Sequence, residues 1–170
     1  MGSNIILVGL MGSGKSILGK QLASRLSLKL IDLDDEIVSQ AGKSIPEIFR
    51  DEGEQSFRDM ESEILAKALQ TEQAYIIATG GGAVLSEDNR LLMKQAGSVI
   101  WLGASPEILA KRITGDSNRP LLAEIDPLAK MKALSIERNP LYEEVADLYV
   151  DTGKLTDEEA VAKIIHFLSD

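Results

Sequence analysis

Three groups of residues in this chain have the types and spacing to do chemistry together. The first is Gly9-Leu10-Met11-Gly12-Ser13-Gly14-Lys15-Ser16, which fits the pattern G-x-x-x-x-G-K-[ST]. In that pattern glycines let backbone N–H groups close around a phosphate at the start of a helix. The apolar run Ile5 to Val8 precedes it and the helix-like segment Ile17 to Leu26 follows, which is the strand, loop and helix context the pattern requires. The chemistry expected is that of a nucleoside triphosphate. Lys15 would reach the β- and γ-phosphates, and the Ser16 hydroxyl would be open to Mg²⁺.

The second group is Asp32-Leu33-Asp34-Asp35. Mg²⁺ keeps several waters and needs few carboxylates, so Asp32 at a neighbouring strand end suffices for it. Asp34 then remains to orient an acceptor hydroxyl or take its proton. The two outer carboxylates point the same way if the segment stays extended. The competing reading is an acidic cluster that stabilises the next helix through its dipole, and it fits Asp35 best. The third group is Thr79-Gly80-Gly81-Gly82 at the end of an apolar run, where missing side chains permit either a tight turn or a ligand against the backbone. Arg58, Arg119 and Arg138 carry no local signal, because a single arginine is by default a solvated group or a weak ion pair. Glu61 lies three residues beyond Arg58, and an i,i+3 pair worth about 0.2 to 0.5 kcal/mol would explain both.

The elements that must position these groups alternate in type. Strands are expected at Ile5 to Val8, Lys29 to Ile31, Tyr75 to Ala78, Val99 to Leu102 and Leu148 to Val150. Leu18, Leu22 and Leu26 recur at helical spacing on the segment after the phosphate loop. A helix Glu36 to Ala41 ends at Gly42, and Ser44-Ile45-Pro46-Glu47 opens a short helix that Gly53 breaks. Glu54 to Leu69 is the longest helical segment, with Phe57, Ile64, Leu65 and Ala68 on its apolar face. Ser86 caps Glu87 to Gln95, Ser105-Pro106 opens a helix to about Ile113, and Thr156 to Glu159 is a capping box before Asp157 to Leu168. The polar, turn-rich stretch Thr114 to Pro120 reads as a loop able to move. A helix from Pro127 runs to Glu137 or Arg138, where Asn139-Pro140 is expected to interrupt it, and Leu141 to Val145 adds a turn. Alternating strands and helices imply a parallel sheet covered on both faces, with ligands beyond the carboxyl ends of its strands.

At 170 residues, with 44% apolar and 26% charged content, the chain has the size and composition of one soluble domain. A net charge of −9 argues against a nucleic-acid surface, which needs a basic patch. With no cysteine and one histidine, disulfide frameworks, thiol catalysis and Cys- or His-rich zinc sites are excluded. No apolar run has the length of a membrane span, no charged leader precedes the first strand, and Ile6 stands where a myristoylation signal wants Ser or Thr. A cytoplasmic monomer is the expectation.

With the phosphate loop, the Asp-x-Asp pair, Phe57-Arg58, Gly80-Gly81-Gly82, Arg119-Pro120-Leu121 and Arg138-Asn139-Pro140-Leu141-Tyr142 in that order, the sequence resembles the shikimate kinase family over essentially its whole length. That family is related to the nucleoside monophosphate kinases. The resemblance implies a three-layer α/β/α P-loop kinase fold with a five-stranded parallel sheet in order 2-3-1-4-5. One domain would span 1–170, with a substrate-binding region at about 34–62 and a lid at about 113–125. It implies ATP-dependent phosphorylation of shikimate at its 3-hydroxyl, giving shikimate 3-phosphate and ADP on the route to chorismate and the aromatic amino acids.

The resemblance also distributes roles. Gly12, Ser13, Gly14, Lys15, Ser16 and Ile17 would surround the ATP phosphates, and Ser16 and Asp32 would serve Mg²⁺. Asp34 would engage the shikimate hydroxyls as base. Arg58 and Arg138 would clamp its carboxylate beside the backbone of Gly80, Gly81 and Gly82, which suits arginine's planar donors. Arg119 would be the lid arginine, so that Lys15, Asp34 and Arg119 form the catalytic set. Arg112 would pack on adenine, with Thr152 to Thr156 at its border. Phe49 and Phe57 either line the acceptor pocket or fill core, and Trp101 reads as packing. A gluconate or nucleoside monophosphate kinase, or a non-catalytic nucleotide-binding protein, shares the phosphate loop. Asp34, the glycine triplet and the two arginines together favour a polyhydroxylated carboxylate acceptor, and the filled motif positions argue against lost activity.

Overall fold

The structure, a computed structural model, describes residues 3–114 and 126–170. Five strands, β1 (Asn4–Val8), β2 (Lys29–Asp32), β3 (Tyr75–Ala78), β4 (Gly97–Gly103) and β5 (Leu148–Asp151), form one sheet in order β2-β3-β1-β4-β5. Every pairing is parallel, with Ile5 opposite Ile76 on one side of β1 and opposite Ser98 on the other. The order follows the pattern of apolar residues. All five residues of β1 are buried, whereas β2 and β5 expose part of their length at the two edges, as expected where only central strands are covered on both faces.

Successive residues of β1 point to opposite layers. Ile6 and Val8 join Leu33, Ile37, Phe57, Leu65, Met93 and Tyr142 in one core, and Ile5 and Leu7 join Leu18, Leu22, Val161 and Ile164 in the other. The first core is covered by α2 (Leu33–Ala41), α3 (Ile45–Leu69), α4 (Glu87–Ala96), α5 (Pro106–Ile113) and α6 (Pro127–Val145). The second is covered by α1 (Lys15–Leu26) and α7 (Asp157–Leu168). The architecture is three-layered, α/β/α, with the expected sheet order 2-3-1-4-5. No helix among the described residues is long and apolar enough to cross a membrane.

Local signals place most helix starts. The hydroxyls of Ser44, Ser86, Ser105 and Thr156 each accept from the backbone N–H three residues on, and Thr156 with Glu159 closes a full capping box. Gly53, at φ 87° and ψ 167°, divides α3 into two helical arms as expected. Two expectations fail. Helix α2 starts at Leu33 rather than Glu36, because the Asp32 carboxylate caps it, accepting from the N–H groups of Asp34 (3.0 Å) and Asp35 (3.4 Å). Asp34 therefore stands in the first helical turn and not on an extended segment. Helix α6 also runs through Asn139-Pro140 without interruption. Proline removes the ladder bond to Ile136, and Ile136 lies on the solvent side at 79% exposure, where water can replace the lost donor.

Candidate active site

All the first-group residues gather beyond the carboxyl end of β1. Gly12 (φ 81°) and Gly14 (φ 106°) take left-handed backbone that other L residues rarely adopt, which turns the chain back sharply before α1. The Lys15 ammonium lies along the loop, donating to the carbonyls of Gly9 (2.6 Å) and Leu10 (3.0 Å). Ser16, in the first turn of α1, donates its hydroxyl to Asp32 Oδ2 at 3.1 Å, so the two oxygens meet at the mouth of the loop. Asp32 thus uses one oxygen to cap α2 and presents the other to Ser16. Ile17 is 58% exposed beside them.

The residues expected on the acceptor side converge on the glycine triplet. None of Gly80, Gly81 and Gly82 has positive φ, so a strained turn does not explain them. Space does. A Cβ on Gly80 would lie 2.9 Å from Glu61 Oε2 and 3.0 Å from Asp34 Oδ1, one on Gly81 would lie 3.3 Å from Arg138 Nη1, and one on Gly82 would strike the Arg58 guanidinium. The segment is glycine because four charged side chains pack against it.

Arg58 and Glu61 do form the i,i+3 pair, with Nη1 donating to Oε1 at 2.9 Å, but it is not a surface pair. Glu61 is 1% exposed, so the small energy of an exposed pair does not apply. Burial pushes its carboxyl above the ordinary glutamate value, the Arg58 guanidinium opposes that rise, and the nearby Asp34 charge adds to it. Glu61 Oε2, Arg58 Nε and Arg138 Nε are buried with no hydrogen-bond partner among the described residues. Such atoms are rare in folded proteins and call for a ligand or water. Tyr142, fully buried, donates its hydroxyl to the Gly81 carbonyl at 2.5 Å, and burial raises its phenol above the ordinary tyrosine value.

A single cleft of about 670 Å³ joins the two halves. It runs from Gly12, Lys15, Ser16 and Asp32 past Asp34, Phe49 and Phe57 to Arg58, Gly80–Gly82 and Arg138. Phe49 and Phe57 both line it, with ring centroids 4.8 Å apart, while Phe57 also belongs to the core, so both readings of these aromatics hold. Trp101 lies outside the cleft, packed on Tyr142 and Tyr149. Arg112 stands at the cleft edge with its donors engaged: Nη1 to Gly12 O (2.9 Å) and Thr152 Oγ1 (3.0 Å), and Nη2 to Thr152 O (2.7 Å). Its flat face needs none of those donors to stack on a ring. Arg119 and most of the proposed lid fall in 115–125, outside the described residues.

Three participants were not assigned from sequence: Glu61 as a buried member of the site, Tyr142, and Thr152 as an individual residue. For Tyr142 the available signal was its i+4 spacing from Arg138, hidden by the interruption expected at Pro140. Chemically, the cleft offers an anion-binding loop at one end. At the other it offers paired guanidinium groups with two carboxylates, suited to a small polar anion bearing hydroxyls.

Residues 11–169 match the family model described as shikimate kinase. A protein of Neisseria gonorrhoeae named shikimate kinase is 45% identical over 165 residues, which cover 97% of this chain and 95% of that protein. One of Bordetella avium, also named shikimate kinase, is 48% identical over 151 residues, 89% of this chain and 72% of that protein. Among solved structures, shikimate kinase from Acinetobacter baumannii in complex with shikimate superposes with a TM-score of 0.93 at 37% identity, covering 99% of this chain and 94% of that one. A gluconokinase from Sinorhizobium meliloti, at TM-score 0.63 and 18% identity, shares the fold alone.

Proposed function

The chain belongs to the shikimate kinase family, and on that premise we propose how its cleft divides the transfer of a phosphoryl group from ATP to shikimate. It is a kinase that phosphorylates shikimate in aromatic amino acid biosynthesis, with ATP as co-substrate. The acceptor atom is the 3-hydroxyl oxygen. That oxygen bonds to the γ-phosphorus as the bridge to the β-phosphate breaks, releasing ADP, and its proton passes to the Asp34 carboxylate.

The amides of Gly12, Gly14, Lys15, Ser16 and Ile17 hold the ATP phosphates, Ser13 shapes the loop around them with its own N–H donated to Leu10 O at 3.1 Å, and the Lys15 ammonium faces the phosphates from its place on the loop carbonyls. Arg58 and Arg138 grip the shikimate carboxylate beside Gly80, Gly81 and Gly82, and the phenyl rings of Phe49 and Phe57 exclude water from the same end. Arg112 offers its face to adenine. Arg119 stabilises transferred charge from the lid at about 113–125, a role that rests on the family resemblance. The observation that carries this division is the half-buried pair Arg58 and Arg138, whose buried Nε atoms have no hydrogen-bond partner among the described residues, on a glycine triplet that shares one cleft with the phosphate loop.

Ser16 Oγ and Asp32 Oδ2, 3.1 Å apart, are hard oxygen donors that fit Mg²⁺. No cluster of three His, Cys, Asp or Glu side chains able to hold a metal occurs among the described residues, which suits an ion that takes its remaining ligands from water and phosphate. Bound there, Mg²⁺ supplies neutralisation of phosphate charge. The same reading makes the protein a cytoplasmic monomer of one domain over 1–170, with its substrate-binding region at about 34–62 and no nucleic-acid or membrane partner. The test is ADP release by purified protein given ATP and Mg²⁺ with shikimate, gluconate or AMP. Release with shikimate is expected, and release with none of the three would refute the assignment.

A further inference from the structure

A loop that binds phosphate through its N–H groups must turn its carbonyls outward and satisfy them elsewhere. Here Lys15 serves the carbonyls of Gly9 and Leu10, and the first turn of α1 serves Gly14, whose oxygen accepts from Leu18 N–H. The motif itself supplies these donors. The carbonyls of Gly12 and Ser13 are served from far away in the chain. Gly12 O accepts from Arg112 Nη1, and Ser13 O accepts from the hydroxyl of Thr152 at 2.8 Å. Thr152 is buried at 8% exposure just past the end of β5, where its own N–H donates to Gly103 O at 2.8 Å, so the sheet holds it rigidly. Arg112 donates to both its hydroxyl and its carbonyl.

We propose that Thr152 is a positioning residue for the donor nucleotide: its hydroxyl, pinned by the sheet and by Arg112, holds the Ser13–Gly14 peptide in the orientation that presents Gly14 N–H to phosphate. The peptide unit is planar and trans, so fixing the Ser13 carbonyl toward Thr152 turns the Gly14 N–H to the opposite side. Without the tether the peptide can rotate, and nucleotide affinity falls by the fraction of molecules whose loop remains competent. This inference rests on the reading of the loop as the ATP site.

The experiment measures Mg²⁺–ADP affinity by calorimetry, and KM for ATP and for shikimate, in the wild type and in Thr152→Val, which keeps the side chain's shape and removes the hydroxyl. The expected result is a rise of roughly tenfold in ADP Kd and ATP KM, as fits one lost hydrogen bond to a buried carbonyl, with shikimate KM within twofold of wild type. Thr152→Ser should restore wild-type nucleotide affinity and Thr152→Ala should not. Those two variants differ by the hydroxyl alone, and they decide the question if the valine variant does not fold. Nucleotide affinity unchanged in both hydroxyl-free variants, or equal rises in both KM values, would overturn the tether. A wild type that binds no ADP would instead overturn the donor-site reading.

Discussion

Gly82→Ala isolates the claim that the glycine triplet exists to make room for the Arg58 guanidinium. At φ −96° and ψ 2°, Gly82 has backbone that alanine adopts readily, so the substitution introduces no dihedral strain. Its Cβ, however, would lie 2.5 Å from Arg58 Nη2 and 2.6 Å from Cζ, where ordinary contact needs about 3.5 Å. The guanidinium must retreat by about 1 Å, enough to break the 2.9 Å bond from Nη1 to Glu61 Oε1 and to misdirect the donors that face the acceptor. Loss of a charge-assisted hydrogen bond is worth about 1.5 to 3 kcal/mol. Shikimate KM should therefore rise roughly 10- to 150-fold, while ATP KM stays within twofold because the phosphate loop is untouched. Steady-state kinetics following ADP release, with each substrate varied in turn, reads both values. The control is the same substitution on an Arg58→Ala background, where the alanine methyl has no guanidinium to displace and shikimate KM should not rise further. An unchanged shikimate KM in the single variant, a parallel rise in ATP KM, or an undiminished effect in the double variant would each refute the steric argument.

Asp34→Asn should lower kcat by about 10² to 10⁴, the usual range for a lost general base, with ADP affinity preserved in calorimetry; full turnover would remove Asp34 from the proton transfer. Tyr142→Phe keeps the buried ring and frees the Gly81 carbonyl, so shikimate KM should rise about five- to tenfold without a change in ATP KM. Equal changes in both would make the phenol a general structural prop. Glu61 carries a pH signature. Because its folded-state value is raised above the ordinary glutamate value of 4.5, the folded protein binds its proton more tightly than the unfolded chain. Its contribution to stability is therefore fully present below 4.5 and is lost as pH rises through the raised folded value. In Glu61→Gln that decline should be absent, and Tm–pH curves that run parallel for the two proteins would contradict it.

The fold was legible because its determinants are local or periodic. A serine or threonine caps the N–H three residues ahead, a glycine breaks a helix at its own position, and an apolar run between turns marks a covered strand. Asp32 shows how closely such signals compete: its carboxylate starts α2 three residues early, and that moves Asp34 onto a helix although both remain in the cleft. The failure at Pro140 had a larger consequence. Proline usually disfavours helix in the residue before it, but a solvent-facing site can forgo one ladder bond, and the uninterrupted helix is what stacks Arg138 and Tyr142 one turn apart.

By itself, the sequence determined that a phosphate-binding pattern stands at Gly9 to Ser16 between a strand and a helix, with Asp32 and Asp34 nearby, since the pattern and its flanking elements lie within a few dozen residues. Only the tertiary structure decided that Glu61 is a buried carboxylate between Asp34 and Arg58, that Tyr142 holds Gly81 across 61 residues, and that Thr152 holds Ser13 across 139. Those contacts have no local signature. They arise where separately formed helices and strands pack against one sheet, and that packing takes Glu61 wholly and Arg58 in part out of solvent at the cleft wall, where each could have been a solvated surface group.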